Sequence, residues 1–118
     1  MSANPLPCVI LHSDENKTLY SYSINGYLLQ SIDIFSESLN FPTIVRNSFF
    51  NDFLIYIDKA NNAIVVREIP YLEKRNKKKF DKDINGFVMS SNSIFGVLGH
   101  TDGSCSSIYP SISNKDNN

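Results

Sequence analysis

Short clusters of bulky apolar residues recur along the whole chain, separated by polar stretches rich in Asn, Asp, Ser and Gly. Val9-Ile10-Leu11 is the first cluster, and Leu19 to Ile24 follows with partial alternation. Tyr27-Leu28-Leu29, Ile32-Asp33-Ile34 and Thr43-Ile44-Val45 come next. Phe53–Ile57 and Ala63–Val66 are the strongest strand candidates, because they are almost wholly β-branched and aromatic. Phe87-Val88-Met89, Ile94–Leu98 and a weak Cys105–Tyr109 segment complete the set. No stretch carries the 3.6-residue period of an amphipathic helix. Short strands at regular spacing, with turn signals between them, predict an all-β, antiparallel chain built as a sandwich, a barrel or a propeller.

The turn chemistry agrees. Asn25-Gly26 between two strand candidates predicts a hairpin through a type I′ turn, whose two central residues both need φ > 0. Asp102-Gly103 is a second such site, Asn61-Asn62 a third, and Asn85-Gly86, entering the Phe87 strand, a fourth. Three segments then share one layout of apolar strand, polar turn and second strand. They run from Val9 to Tyr22, from Phe53 to Arg67 and from Phe95 to Tyr109. With Asn16, Asn62 and Gly103 as equivalent turn positions, the spacings are 46 and 41 residues. A period of about 40–45 residues holding four short strands is that of a WD-type propeller blade. The expected organisation is about two and a half blades of an incomplete propeller, over residues 8–38, 39–82 and 83–112. Residues 1–7 form an N-terminal tail, and 113–118 a disordered C-terminal tail. The signature Trp-Asp dipeptide is missing, since the chain has no Trp. Gly99-His100 lies inside the third hairpin rather than before a blade's inner strand, and counts as coincidence.

The string from Thr18 to Leu29, with Ser23-Ile24-Asn25-Gly26 as its most distinctive part, resembles the blade segment of BEACH-domain proteins of the neurobeachin type. Further on, that family has an apolar strand, a turn and a Val-rich strand ending in Arg. Here these are Phe53–Ile57, Asp58–Asn62 and Ile64-Val65-Val66-Arg67. Tyr71-Leu72 and the Gly103-Ser104 turn match later elements, so the resemblance spans roughly residues 8–112. The BEACH domain, its PH-like neighbour and the earlier blades are not in the chain, and Asn62 stands where the family tends to have Gly. The resemblance implies a C-terminal WD-repeat segment of a non-catalytic scaffold in vesicle and membrane traffic. It also implies that partner proteins and the remaining blades contact the propeller surface.

Composition narrows this picture. The chain has 118 residues, 42% hydrophobic and 19% charged, with a formal net charge of −1. Such a balance provides no global field toward nucleic acid, and no nucleic-acid partner is expected. A closed propeller needs at least four blades, or about 160 residues, so the length predicts a piece of a longer protein. No apolar run reaches the roughly 20 residues that cross a bilayer. Met1–Pro5 has no charged n-region and no h-region, and the expected compartment is the cytoplasm. Cys8 and Cys105 then read as reduced thiols, and no cofactor or metal is expected.

Three local features bear on function. Cys105 lies five residues after His100, but a catalytic pair also needs an orienting group and an oxyanion site, so no enzyme is expected. Lys74, Arg75, Lys77, Lys78 and Lys79 put five basic residues into six positions, where a propeller has a loop or its outermost strand. Charge there keeps a sheet edge from pairing with other chains. The functional alternative is peripheral contact with anionic membrane, a salt-sensitive attraction of about 1 kcal/mol per basic residue. Phe49 and Phe50 are packing residues by default and partner-binding aromatics when exposed. The competing architecture is a self-contained small β-barrel or sandwich that binds a ligand.

Overall fold

A computed structural model describes residues 8–46, 52–90 and 95–109, and these hold ten β-strands and no helix. The strands are β1 (Cys8–Ser13), β2 (Thr18–Ser23), β3 (Leu28–Asp33), β4 (Leu39–Val45), β5 (Phe53–Asp58), β6 (Ala63–Glu68), β7 (Glu73–Lys79), β8 (Ile84–Met89), β9 (Gly96–His100) and β10 (Cys105–Ile108). They form three antiparallel sheets, β1-β2-β3, β4-β5-β6-β7 and β8-β9-β10, each a simple meander. Among the described residues no sheet closes on itself, so the barrel alternative is not formed.

The three sheets repeat one plan. The hairpins β1–β2, β5–β6 and β9–β10 are each joined by four residues, 14–17, 59–62 and 101–104. Ser13, Asp58 and His100 close their first strands, 45 and then 42 residues apart. The expected turn alignment is therefore shifted: Asn62 matches Lys17 and Ser104, not Asn16 and Gly103. Backbone hydrogen bonds repeat at the same places. Lys17 O accepts from Ile34 N at 2.8 Å, and Asn62 O accepts from Phe80 N at 3.0 Å. Lys59 N donates to Ser38 O at 3.0 Å, and Thr101 N to Asp83 O at 3.2 Å. By this alignment β4 and β8 are equivalent, as are β3 and β7. Among the described residues, the first sheet lacks a counterpart of β4, and the third lacks a counterpart of β7.

The central sheet is covered on both faces. Phe53, Ile55, Ile57, Ile64 and Val66 pack with Ile84 and Leu98 of the third sheet. Leu54, Tyr56 and Val65 point the other way and pack with Leu19 and Ile34 from the first sheet and its exit. Every residue of β5 is buried, and in β6 only Glu68 is not. Burying an Ile or Val side chain stabilises by about 1.5–3 kcal/mol, so these two strands dominate the core.

Several expectations are corrected. The Asn25-Gly26 loop is four residues long and only Gly26 has positive φ, so it is not a type I′ turn. The Asp102-Gly103 and Asn61-Asn62 loops likewise use a single left-handed residue, Gly103 and Asn62. Asn85-Gly86 is no turn, since it lies inside β8 at an irregularity in the β8–β9 register. Tyr27–Leu29 and Ile32–Ile34 merge into one strand, β3. β4 begins at Leu39 rather than Thr43, and a register shift between Asn40 and Thr43, with Phe41 at φ 54°, hides its first half from the hydrophobic pattern.

Asn62 shows why the turn residue matters. Its backbone is left-handed, at φ 52°, which Asn tolerates better than most residues. Its side chain also staples the connection from β7 to β8: Nδ2 donates to Phe80 O and Lys82 O, both at 2.8 Å, and Oδ1 accepts from Ile84 N at 2.9 Å. Asn62→Gly keeps the backbone freedom and loses the staple, whereas Asn62→Ala loses both. We expect Asn62→Gly to cost about 1–3 kcal/mol and Asn62→Ala about 1 kcal/mol more, measured by urea denaturation. Equal stability of both variants and the parent would show that the staple contributes nothing to the fold.

Candidate functional site

The basic run forms β7, the outermost strand of the central sheet, and every residue in it is exposed. A strand with no apolar residue holds its place through its pairing to β6, in which Lys77 faces Val65 and Lys78 faces Ile64. Long Lys and Arg stems cover apolar surface while their charges stay wet. The charges are not equivalent. Lys74 and Lys77 reach Glu37 at 3.7 and 3.8 Å, and Lys77 also reaches Asp58 at 3.5 Å. Arg75 pairs with Glu68 at 3.7 Å. Lys78 lies 5.4 Å from the centre of the Phe80 ring, within cation–π range. Lys79 sits opposite Ala63 at the end of the strand.

Beneath β7 lies a polar cluster that strand pattern alone does not announce. Glu37, from the connection between β3 and β4, is buried. The Tyr56 hydroxyl donates to Glu37 Oε1 at 2.5 Å and accepts from Arg67 Nε at 3.0 Å. Arg67 is also buried, and its second nitrogen donates to Leu72 O at 2.9 Å. Leu72 itself is buried with a left-handed backbone at φ 63°, an uncommon state for a branched residue. The Asp58 carboxylate accepts from Ser38 N at 2.9 Å and from Asn61 Nδ2 at 2.6 Å. Buried charges persist only when paired and hydrogen-bonded, and here each has both. Burial first, and the bond to Glu37 second, push the Tyr56 hydroxyl well above its ordinary value. The one hint in sequence is that Tyr56 and Arg67 interrupt the two most apolar strands.

The other candidates are placed as follows. His100 is buried. Its Nδ1 donates to Asp83 O at 3.2 Å, since a carbonyl only accepts, and its Nε2 is hydrogen-bonded to the Ser106 hydroxyl at 2.8 Å. Cys105 pairs opposite Gly99, on the face of the sheet away from His100, and is exposed. The structure does not bring these two together. At the nearby turn, hydrogen bonds from the Ser104 hydroxyl and amide, with Lys82 beyond them, hold the exposed Asp102 carboxyl down at about 2. Phe49 and Phe50 lie outside the described residues. Among the described residues no group of His, Cys, Asp and Glu side chains could hold a metal ion, and no helix is long and apolar enough to cross a membrane.

A cleft of about 460 Å³ separates the first two sheets. Cys8, Ile10 and Leu19 line one wall, and Ile44, Leu54 and Ile69 the other. Arg46 and Asp52 form an ion pair of 3.1 Å at its rim, with Arg46 exposed. Burial against this wall raises the Cys8 thiol above its ordinary value.

Compared with protein-family models, with curated proteins and with solved structures, the chain matches none.

The polar cluster has a pH signature. A hydroxyl whose folded-state value lies above its unfolded value of about 10 stabilises the fold fully below pH 10, and that stability is lost as the pH rises further. We expect one tyrosine to escape titration in the folded chain and to ionise only on alkaline unfolding, followed by phenolate absorbance. Tyr56→Phe should abolish that late step and cost about 1–3 kcal/mol at neutral pH, because Glu37 and Arg67 lose a buried partner.

Proposed function

We propose that the chain is a propeller segment of the WD type, serving as a non-catalytic platform for protein partners. One observation carries this reading: a hairpin with a four-residue loop occurs three times, once in each sheet, and the second sheet stacks face to face on the first and on the third. Repeat folds of this kind bury a core only by stacking neighbours. The resemblance in Thr18–Leu29, Phe53–Arg67 and Gly103-Ser104 extends the proposal to a BEACH-type parent in vesicle traffic. That parent would lie in the cytoplasm, peripherally at endomembranes, and carry the remaining blades.

The end sheets differ from the central one in a way that supports stacking. Strand alternation puts Val9, Leu11, Tyr20, Tyr22 and Leu28 on the outer face of the first sheet. Val9, Leu11 and Leu28 are each at least half exposed. A sheet face this apolar is a surface for another sheet. We expect the isolated chain to self-associate with rising concentration in sedimentation velocity, and Leu11→Lys with Tyr22→Lys to restore the monomer without loss of strand content. A parent chain that stays monomeric and melts cooperatively at high concentration would overturn the stacked-segment reading.

Contact with an anionic membrane, the second partner class of this proposal, falls to Lys78 and Lys79. Lys74, Arg75 and Lys77 are committed to carboxylates. Association with phosphatidylserine vesicles should vanish at high salt and in the Lys78→Glu, Lys79→Glu double variant. Unaltered binding in that variant would take the role away from β7.

A further inference from the structure

β1 holds the same place in the repeat as β5 and β9, yet it lacks what they have. β5 is flanked by β4 and β6, and β9 by β8 and β10. Among the described residues β1 has one partner, β2, and its other edge presents unpaired backbone groups. The strand absent at that edge would be the counterpart of β4 and β8.

The packing of those two strands shows what such a strand would touch. β4 contacts β8 across the gap between the second and third sheets. Val45, on that side of β4, belongs to the core shared with the third sheet. On its opposite side, β4 packs Leu39 against the cluster that holds Leu19 and turns Ile44 toward the first sheet. The space left there is the 460 Å³ cleft, bounded by Cys8 and Ile10 of β1 and by Ile44 of β4. The unpaired edge and the empty apolar cleft thus lie side by side, and both fit one object. A strand hydrogen-bonded to β1 would project alternate side chains into the cleft.

The geometry points to a strand-accepting groove along β1. Its occupant is an extended segment that pairs antiparallel to β1 and sends apolar side chains at alternate positions onto Ile44, Leu19 and Leu54. The direction follows from the two filled copies, since β4–β5 and β8–β9 are both antiparallel. The apolar preference follows from the cleft walls, and the extended conformation from the edge, because only a strand satisfies a row of alternating donors and acceptors. The inference rests on the internal repeat that also carries the proposed function.

The two cysteines supply the assay. Cys8 lines the cleft and is half-buried, whereas Cys105 is exposed on the third sheet. The probe is a synthetic peptide of residues 38–46, which carries the β4 sequence and therefore the side-chain pattern that already fits the equivalent place between β5 and β8. The full chain is treated with N-ethylmaleimide, with and without peptide, and modification of each cysteine is followed by mass spectrometry. The peptide should slow labelling of Cys8 several-fold and leave Cys105 unchanged, and hydrogen exchange should show new protection confined to β1. A peptide with Thr43→Asp and Val45→Asp should give no protection. Ile44→Asp in the protein should abolish the effect while the melting temperature stays close to the parent's, because Ile44 is 46% exposed.

Equal protection by the aspartate peptide, or an effect that survives Ile44→Asp, would overturn the groove. So would the absence of any protection in a chain that melts normally. Cys8 already shielded in a dimer without peptide would also overturn it, by giving the edge to a second copy. A failure here leaves self-association through Val9 and Tyr22 to be judged separately, since those side chains lie on the other face of the first sheet.

Discussion

β5 and β6 carry apolar side chains on both faces, so the sheet they centre has no face to give to water and must be covered twice. That requirement organises the rest of the chain. The first sheet supplies Leu19 and Ile34 to one face, and the third supplies Ile84 and Leu98 to the other. Neither flanking sheet is comparably apolar, and each is half-exposed over much of its length. Their order is borrowed from the centre. Weakening the central pair would therefore release both neighbours, whereas loss of an outer strand would be local.

Two-sided burial also creates an electrostatic demand. Asp58 and Arg67 lie in the same dry strands, and a buried charge without a partner costs several kcal/mol. The partners come from outside the pair: Glu37 from the β3–β4 connection, Lys77 from the exposed edge strand, and Ser38 through its amide. The basic strand is thus part of the fold before it is part of any surface. Its charges guard an edge and complete a buried cluster at once. This is why only part of the run remains for an external partner, although the sequence shows five cations together.

How much of this was legible depended on what each element uses to declare itself. β5 and β6 were plain, because continuous β-branched and aromatic residues have few alternatives. β7 offered no apolar residue to count, and only the blade period gave it a place. The first half of β4 was concealed by the irregularity at Phe41, which breaks alternation where the strand still pairs. Asn25-Gly26, Asn61-Asn62 and Asp102-Gly103 point to two-residue turns, but each of these three loops spans four residues and needs one left-handed position, which Gly26, Asn62 and Gly103 supply. The cluster around Glu37 is legible only in Tyr56 and Arg67, the polar interruptions of two apolar strands. Its members stand at positions 37, 56, 58, 67 and 77, and no spacing rule joins side chains from three paired strands with one from the connection that enters their sheet.

The repeat sharpens what an incomplete edge means. A lone sheet with an open edge is ordinary, and charge or a bulge normally blunts it. β1 has neither kind of protection. Its residues are Cys, Val, Ile, Leu, His and Ser, and its pairing with β2 runs without a register break. β7, the opposite kind of edge in the same molecule, is protected by five cations and a register shift against β6. One chain thus treats its two edges differently. The strand that ends a sheet is guarded, and the strand that lacks an inner neighbour among the described residues is left adhesive beside a cleft of matching character. Selection against aggregation would favour a charge at β1 unless that edge is normally covered, so the contrast with β7 argues for pairing at β1 independently of the cleft.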